Sequence, residues 1–113
     1  MAVLIAAAMP VQAAELVLYE TSSCAWCIRW HKDIGGRYAD TKAARLLPLR
    51  RVDMLKPTPP DLRGIDRPHA TPTFVIVECG REHGRIVGYS LESRFWSQLA
   101  DAVNEWKAEQ RAC

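Results

Sequence analysis

The segment Cys24-Ala25-Trp26-Cys27 places two cysteines three residues apart, at the point where one pattern of apolar residues gives way to another. Residues 15–20 before it form a short, mostly apolar run that ends at polar residues 21–23, which is typical of a buried strand. After it, Trp30 and Ile34 continue from Cys27 at helical spacing. We therefore expect an α/β domain whose first strand leads into its first helix through this cysteine pair.

The middle of the chain alternates apolar runs with turn-forming residues. Residues 49–55 alternate between apolar and polar side chains and predict a second strand. Four prolines within residues 56–70 exclude a long helix from that stretch. Residues 73–77 are β-branched and apolar throughout, which predicts a third strand. The first strand, first helix and second strand should form a βαβ unit with parallel strands, followed by a proline-rich crossover.

The C-terminal part predicts a hairpin and a helix. We expect a polar hairpin loop over 80–84 and a fourth strand over 85–89. Apolar residues spaced nearly four apart over 91–106 predict an amphipathic helix of about four turns. Ser90 is a plausible cap for this helix, and Ser22 or Ser23 for the first one.

Length and charge limit the class of protein. A chain of 113 residues corresponds to one domain with a modest core. With 49% hydrophobic residues and a net charge of +2, neither disorder nor nucleic-acid binding is favoured.

The N-terminus predicts export. Residues 1–9 are apolar but too short to span a bilayer, and small residues at Val11 and Ala13 suit cleavage after Ala13. We expect a signal peptide over 1–13 and a mature domain over 14–113 in the periplasm, although no Lys or Arg precedes the apolar run. The alternative is that this run is a buried first strand or helix. In an oxidising compartment, disulfides persist.

The cysteine pair has a defined chemistry at a helix N-terminus. Unpaired N–H groups and the helix dipole there favour an anion, so the pKa of the Cys24 thiol should fall. Cys24 would attack a disulfide and Cys27, one turn on, would resolve the mixed disulfide. Two other interpretations are an inert structural disulfide and a metal site of Cys24, Cys27 and His31, which lacks an obvious fourth ligand. Covalent haem attachment is excluded because Ile28, not His, follows Cys27.

A proline directly before the third strand completes the pattern. The segments that carry a resemblance are Leu16–Tyr19, Cys24–Cys27, Thr71-Pro72-Thr73-Phe74 and Gly88-Tyr89. Together they resemble the thioredoxin superfamily across nearly all of the predicted mature chain. The resemblance implies a four-stranded mixed sheet in the order 2-1-3-4 flanked by helices, with a shortened proline-rich crossover. It also implies a cis Pro72 facing the dithiol and Thr71 pairing with the substrate chain; Trp26 would form an apolar rim for docking, unless it packs on the helix.

A narrower resemblance is carried by Trp30, Ile34-Gly35, Tyr38, Pro48-Leu49, 71–74, Gly84-Arg85, Gly88-Tyr89 and Phe95-Trp96. These residues look like the small exported thioredoxins of bacterial sulfur-oxidation (Sox) clusters, the SoxS type. That family implies a reductant of disulfides on the sulfur-carrier complex SoxYZ, which is recharged by a membrane thiol–disulfide electron donor. We expect a monomer that needs no cofactor. The alternatives are a reductant in cytochrome c maturation and a general periplasmic disulfide oxidoreductase.

Some positions depart from thioredoxins or lie outside the motif. Thioredoxins usually carry a buried acid six residues before the first catalytic cysteine, where this chain has Leu18. Glu20 could serve in its place. Without such an acid, water or a neighbour such as His69 would transfer the proton to or from Cys27. Charged His31 could favour the thiolate. The simplest interpretation of His31, His69 and His83, however, is that they are surface or helix residues. Cys79 and Cys113 lie where the expected topology allows a structural disulfide, with free thiols or intermolecular pairing as the alternatives.

Overall fold

The elements follow one another in the order expected from the sequence. The structure is a computed structural model that describes residues 13–109 and residue 113, so the predicted signal peptide lies outside the described residues except for Ala13. The strands are β1 (Glu15–Glu20), β2 (Leu49–Asp53), β3 (Thr73–Glu78) and β4 (Arg81–Val87). The helices are α1 (Ala25–Trp30), α2 (Lys42–Leu46) and α3 (Glu92–Ala108), with a π-helical turn (His31–Gly35) and two 3-10 turns (Tyr38–Asp40 and Pro60–Leu62).

The four strands form one mixed sheet in the order β2-β1-β3-β4, which confirms the predicted fold class. β1 runs parallel to β2, and β3 runs antiparallel to both β1 and β4. In this register Glu20 lies opposite Asp53, and Thr73 lies opposite both Tyr19 and Val87. The ends of β1, β2 and β4 and the start of β3 therefore meet at one end of the sheet, which we call the dithiol edge because the cysteine pair follows β1 there.

The helices cover one face of the sheet. Even-numbered residues of β1, β3 and β4 point to this face, as the two-residue period of a strand requires. Their main partners are aromatic: Trp30 packs against Phe74 and Phe95, with ring centroids 5.0 and 5.6 Å apart. Phe95 and Phe74 are themselves 4.9 Å apart, and all three side chains are fully buried. Burial of each such side chain is worth about 1.5–3 kcal/mol, so this cluster is the main stabilising core.

The proline-rich crossover covers the opposite face. Leu62 and Ile65 pack there against odd-numbered strand residues, among them Val17 and Val75. Two arginines fix the crossover to the sheet. Arg50 of β2 binds both carboxylate oxygens of Asp61, at 2.5 and 2.9 Å. Arg85 of β4 donates to the backbone carbonyl of Asp66, at 2.8 Å. A short irregular segment, in which prolines exclude a long helix, thus covers this face of the sheet.

The hairpin is tighter than the sequence predicted. The expected loop over 80–84 is wrong, because β4 already begins at Arg81, opposite Glu78. Two residues make the turn, Cys79 with φ 56° and Gly80 with φ 70°. Positive φ at both central residues is what a two-residue hairpin turn of type I′ requires. Polar residues extend into the strand because β4 lies at the edge of the sheet.

The helix caps also differ from expectation. Cys24 itself is the N-cap of α1, in place of Ser22 or Ser23. Leu91 precedes α3 without a side-chain hydrogen bond, so Ser90 does not cap it. None of the helices among the described residues is long and apolar enough to cross a membrane.

Candidate active site

The cysteine pair occupies the N-terminus of α1. Cys24 has extended backbone angles (φ −80°, ψ 106°), and its Sγ accepts a hydrogen bond from the backbone N–H of Cys27, at 3.1 Å. This is the position at which a side chain satisfies one of the free N–H groups of a helix start. The sulfur of Cys24 thus lies where the helix favours negative charge.

The two sulfurs are joined in a disulfide but differ in access to solvent. The Cα atoms of Cys24 and Cys27 are 5.2 Å apart, within the usual range for a disulfide. Cys24 is half-buried, whereas Cys27 is only 1% exposed. An incoming sulfur can therefore reach Cys24 more readily than Cys27.

Pro72 lies at the same edge of the sheet. The Thr71–Pro72 peptide bond is cis, and Pro72 immediately precedes β3, whose first residue pairs with Tyr19 near the end of β1. Pro72 is buried and Thr71 half-buried. The carbonyl of Pro72 accepts a hydrogen bond from the N–H of Gly88, at 2.7 Å. The backbone around this proline is thereby fixed to the end of β4.

Exposed apolar side chains surround the dithiol edge. Trp26, between the two cysteines, is 55% exposed, so it does not pack against the helix as a core residue. Leu55 follows the end of β2 and Val87 ends β4, and both are also exposed. Sequence periodicity had no means of marking Leu55 and Val87, because their exposure depends on where the strands end.

A charged cluster around the buried carboxylate of Glu20 lies behind the cysteine pair, and the sequence identified only part of it. Glu20 is 8% exposed, and its Oε1 lies 2.9 Å from Nε2 of His31. Arg51 of β2 donates from Nε and Nη2 to the same carboxylate, at 2.8 and 3.0 Å. Burial would raise the pKa of Glu20, but the hydrogen bonds from Arg51 and His31 outweigh it and hold the pKa below its usual value. We call Glu20, His31 and Arg51 the Glu20 cluster. Arg51 was missed, since its partner lies 31 residues away along the chain.

The other sequence-predicted residues are distributed differently. Leu18 is fully buried in the apolar core. His69 is exposed, and His83 lies on the hairpin with its Nε2 3.3 Å from the carbonyl of Glu78. Among residues 13–109 and 113, no group of three or more His, Cys, Asp or Glu side chains is arranged to hold a metal ion. His31, the third ligand of the alternative metal site, is instead bonded to Glu20.

The second cysteine pair lies at the far end of the sheet. Cys79 of the hairpin turn is joined to Cys113, with their Cα atoms 5.7 Å apart. The two disulfides are therefore separated by the length of β3. This pairing is one of the alternatives that the sequence left open.

Comparison with known proteins identifies the fold family. The chain is similar to the crystal structure of the periplasmic thioredoxin SoxS from Paracoccus pantotrophus in its reduced form, with 35% sequence identity and a TM-score of 0.76. That alignment covers 81% of this chain and 97% of the other. The chain belongs to the thioredoxin superfamily. It is a thiol–disulfide oxidoreductase whose Cys24–Cys27 pair has the spacing of the redox-active dithiol.

A more distant thioredoxin shares the fold alone. The thioredoxin Mala s 13 from Malassezia sympodialis has 19% identity and a TM-score of 0.61, over 81% of this chain and 79% of its own. No protein-family model and no curated protein matches the chain.

Proposed function

We propose that the protein is an exported thioredoxin that reduces disulfides on periplasmic protein partners. In this reaction Cys24 attacks the partner's disulfide and forms a mixed disulfide. Cys27 then attacks the sulfur of Cys24, which releases the reduced partner and leaves the Cys24–Cys27 disulfide. The observation that carries the proposal is the unequal access of the two sulfurs, with Cys24 half-buried at the helix start and Cys27 1% exposed behind it.

The partner chain would bind at the dithiol edge. Thr71 would pair its backbone with the partner, and cis Pro72 would hold that backbone facing the dithiol. The hydrogen bond from Gly88 to the Pro72 carbonyl supports this role because it fixes the segment before a partner arrives. Exposed Trp26 would supply apolar contact area at low conformational cost.

We further propose SoxYZ as the partner and a membrane thiol–disulfide protein as the electron donor. The similarity to a periplasmic thioredoxin SoxS supports both this partner and a periplasmic location. A signal peptide over 1–13 followed by a domain over 14–113 would account for that location. The Cys79–Cys113 disulfide would serve as a structural link rather than a reactive one, since it lies away from the dithiol edge.

A trapping experiment tests the proposal. The Cys27→Ser variant, expressed with its native host proteins, should accumulate a mixed disulfide between Cys24 and its partner. The Cys24→Ser variant is the matched control and should trap nothing. Recovery of SoxY supports the proposed partner, whereas recovery of apocytochrome c contradicts it. The absence of reductase activity on a model disulfide in the wild-type protein would contradict the function itself.

A further inference from the structure

The Glu20 cluster lies one helical turn beyond the buried cysteine. His31 follows Cys27 by four residues, and its backbone N–H donates to the carbonyls of Cys27 and Ile28. Residues four apart on a helix share a face, with their Cβ atoms about 5–6 Å apart. His31 is thus the first titratable side chain beyond Cys27 on that face of the helix.

Three contacts hold the imidazole of His31 in one place. Its Nε2 bonds to Glu20, and because an ionised carboxylate only accepts hydrogen bonds, this nitrogen carries a proton. The ring lies edge-on to Trp30, with centroids 5.1 Å apart and planes at 81°. On the other side, a Cβ on Gly35 would lie 2.6 Å from Nδ1, so the ring position requires glycine there. The chain therefore builds a fitted site for this imidazole.

The same cysteine needs stabilisation of its thiolate. Burial disfavours the charged form of a thiol, and Cys27 is 1% exposed. The capping hydrogen bond at the helix start goes to the sulfur of Cys24 and not to that of Cys27. Leu18 is apolar and fully buried, so it contributes no charge.

We propose that protonated His31, held by Glu20, stabilises the thiolate of Cys27 and so accelerates the release of the partner. The inference rests on the proposed function and concerns its second half-reaction. In that step the S–H bond of Cys27 breaks and its proton passes to water. The Cys27 sulfur forms a bond to the Cys24 sulfur, and the mixed disulfide breaks with its electron pair on the partner's sulfur, which takes a proton from water.

The charges around His31 determine the direction of the effect. Glu20 on β1 and Arg51 on β2 bear one negative and one positive charge, so the Glu20 cluster is neutral when His31 is neutral and positive when it is protonated. On the helix itself, Arg29 is paired with Asp33, which also accepts from the hydroxyl of Tyr89, and Lys32 is exposed. His31 is a positioning residue here, since it acts on Cys27 and not on the partner.

The step can be isolated with an aromatic disulfide, dithiobis-nitrobenzoate, which releases one coloured thiolate when Cys24 attacks and a second when Cys27 resolves. In the reduced His31→Gln variant the glutamine can still donate to Glu20, but the charge is lost. We expect the first release to be unchanged and the second to slow about threefold near pH 6. The reason is that loss of the charge would lower the thiolate fraction of Cys27 about tenfold, whereas the more basic sulfur would be a better nucleophile and would offset part of that loss.

Two further variants separate charge from structure. The His31→Lys variant carries a fixed positive charge at that position and should restore the fast second release near pH 6. The His83→Gln variant is the matched control, because His83 lies on the hairpin, and it should leave both releases unchanged. A His31→Gln variant with the wild-type rate and pH profile of the second release would overturn the inference, while a wild-type protein that released no coloured thiolate would instead overturn the proposed function. Circular dichroism of each variant reports that it is folded.

Discussion

Removal of the Cys79–Cys113 disulfide should destabilise the protein about as much as truncation of a buried aromatic side chain does. The two cysteines are 34 residues apart in sequence, and their Cα separation of 5.7 Å is ordinary for a disulfide. In the chain-entropy treatment, a loop of about 35 residues restricts the unfolded chain by about 4 kcal/mol at 25 °C. Domains of this size have a total free energy of unfolding of about 5–15 kcal/mol.

The variant that tests this is Cys79→Ala with Cys113→Ala, compared with the oxidised wild-type protein by urea unfolding followed through tryptophan fluorescence. Alanine at position 79 keeps a Cβ at the positive φ of 56°, so the backbone cost there is similar in both proteins. The expected result is a loss of about 4 kcal/mol in the free energy of unfolding.

The other disulfide provides the control. Cys24 and Cys27 are only three residues apart, so the same treatment predicts a loss of about 2 kcal/mol for the Cys24→Ala, Cys27→Ala variant. A loss below about 1 kcal/mol for the Cys79 and Cys113 variant, or one smaller than that of the control, would refute the argument. A non-reducing digest of the wild-type protein should contain a peptide pair that joins Cys79 to Cys113.

Three other outcomes follow from the core and the Glu20 cluster. Because hydrogen bonds hold the pKa of Glu20 below its usual value of 4.5, its ionised form stabilises the fold above that pH, and this contribution is lost as the pH falls through the folded-state pKa. The urea concentration at the midpoint of unfolding should therefore fall less steeply between about pH 6 and 3 in Glu20→Gln than in the wild type. The same dependence on pH in both proteins would contradict the stabilising role of the Glu20 cluster. Phe95→Ala should lose about 3–5 kcal/mol, since Phe95 is 1% exposed between Trp30 and Phe74; a loss under about 1 kcal/mol in urea unfolding would contradict the assigned core. Gly35→Ala should lose about 1–3 kcal/mol because the new Cβ meets the His31 and Trp30 rings, at 2.6 and 3.0 Å. Gly36→Ala, with nothing within 4 Å of its Cβ, should match or exceed wild-type stability, and equal losses at both glycines would contradict the fitted imidazole site.

The strands and the cysteine pair could be predicted because their signals are local. β1 and β3 are short apolar runs bounded by turn residues, so their periodicity is independent of distant partners. The final helix follows from its apolar stripe in the same way. The boundaries of β4 could not be predicted, because polar residues in an edge strand resemble a loop until its neighbour is known. The turn at Cys79 also gave no signal, since cysteine rarely adopts positive φ.

The Glu20 cluster depends on contacts between distant parts of the chain. Its three members come from β1, the turn after α1, and β2, with sequence separations of 11 and 31 residues. The sequence marked Glu20 as a possible acid and His31 as a neighbour of the dithiol. Only the sheet register shows that Arg51 completes the set, because Arg51 pairs with Leu18 and so lies on the helix-covered face. Patterns within one element contain no information of this kind.

The same register gives a physical reason for a charge at position 20 rather than 18. Side chains two apart on a strand point to the same face, so Glu20 shares the orientation of Leu18 but lies about 7 Å nearer the dithiol edge. A carboxylate at position 18 would lie within the fully buried apolar cluster and would need a partner there. At position 20 the strand is ending, and both His31 and Arg51 reach the carboxylate. A carboxylate two residues further along the strand is thus part of a compensated ion cluster instead of an isolated buried acid.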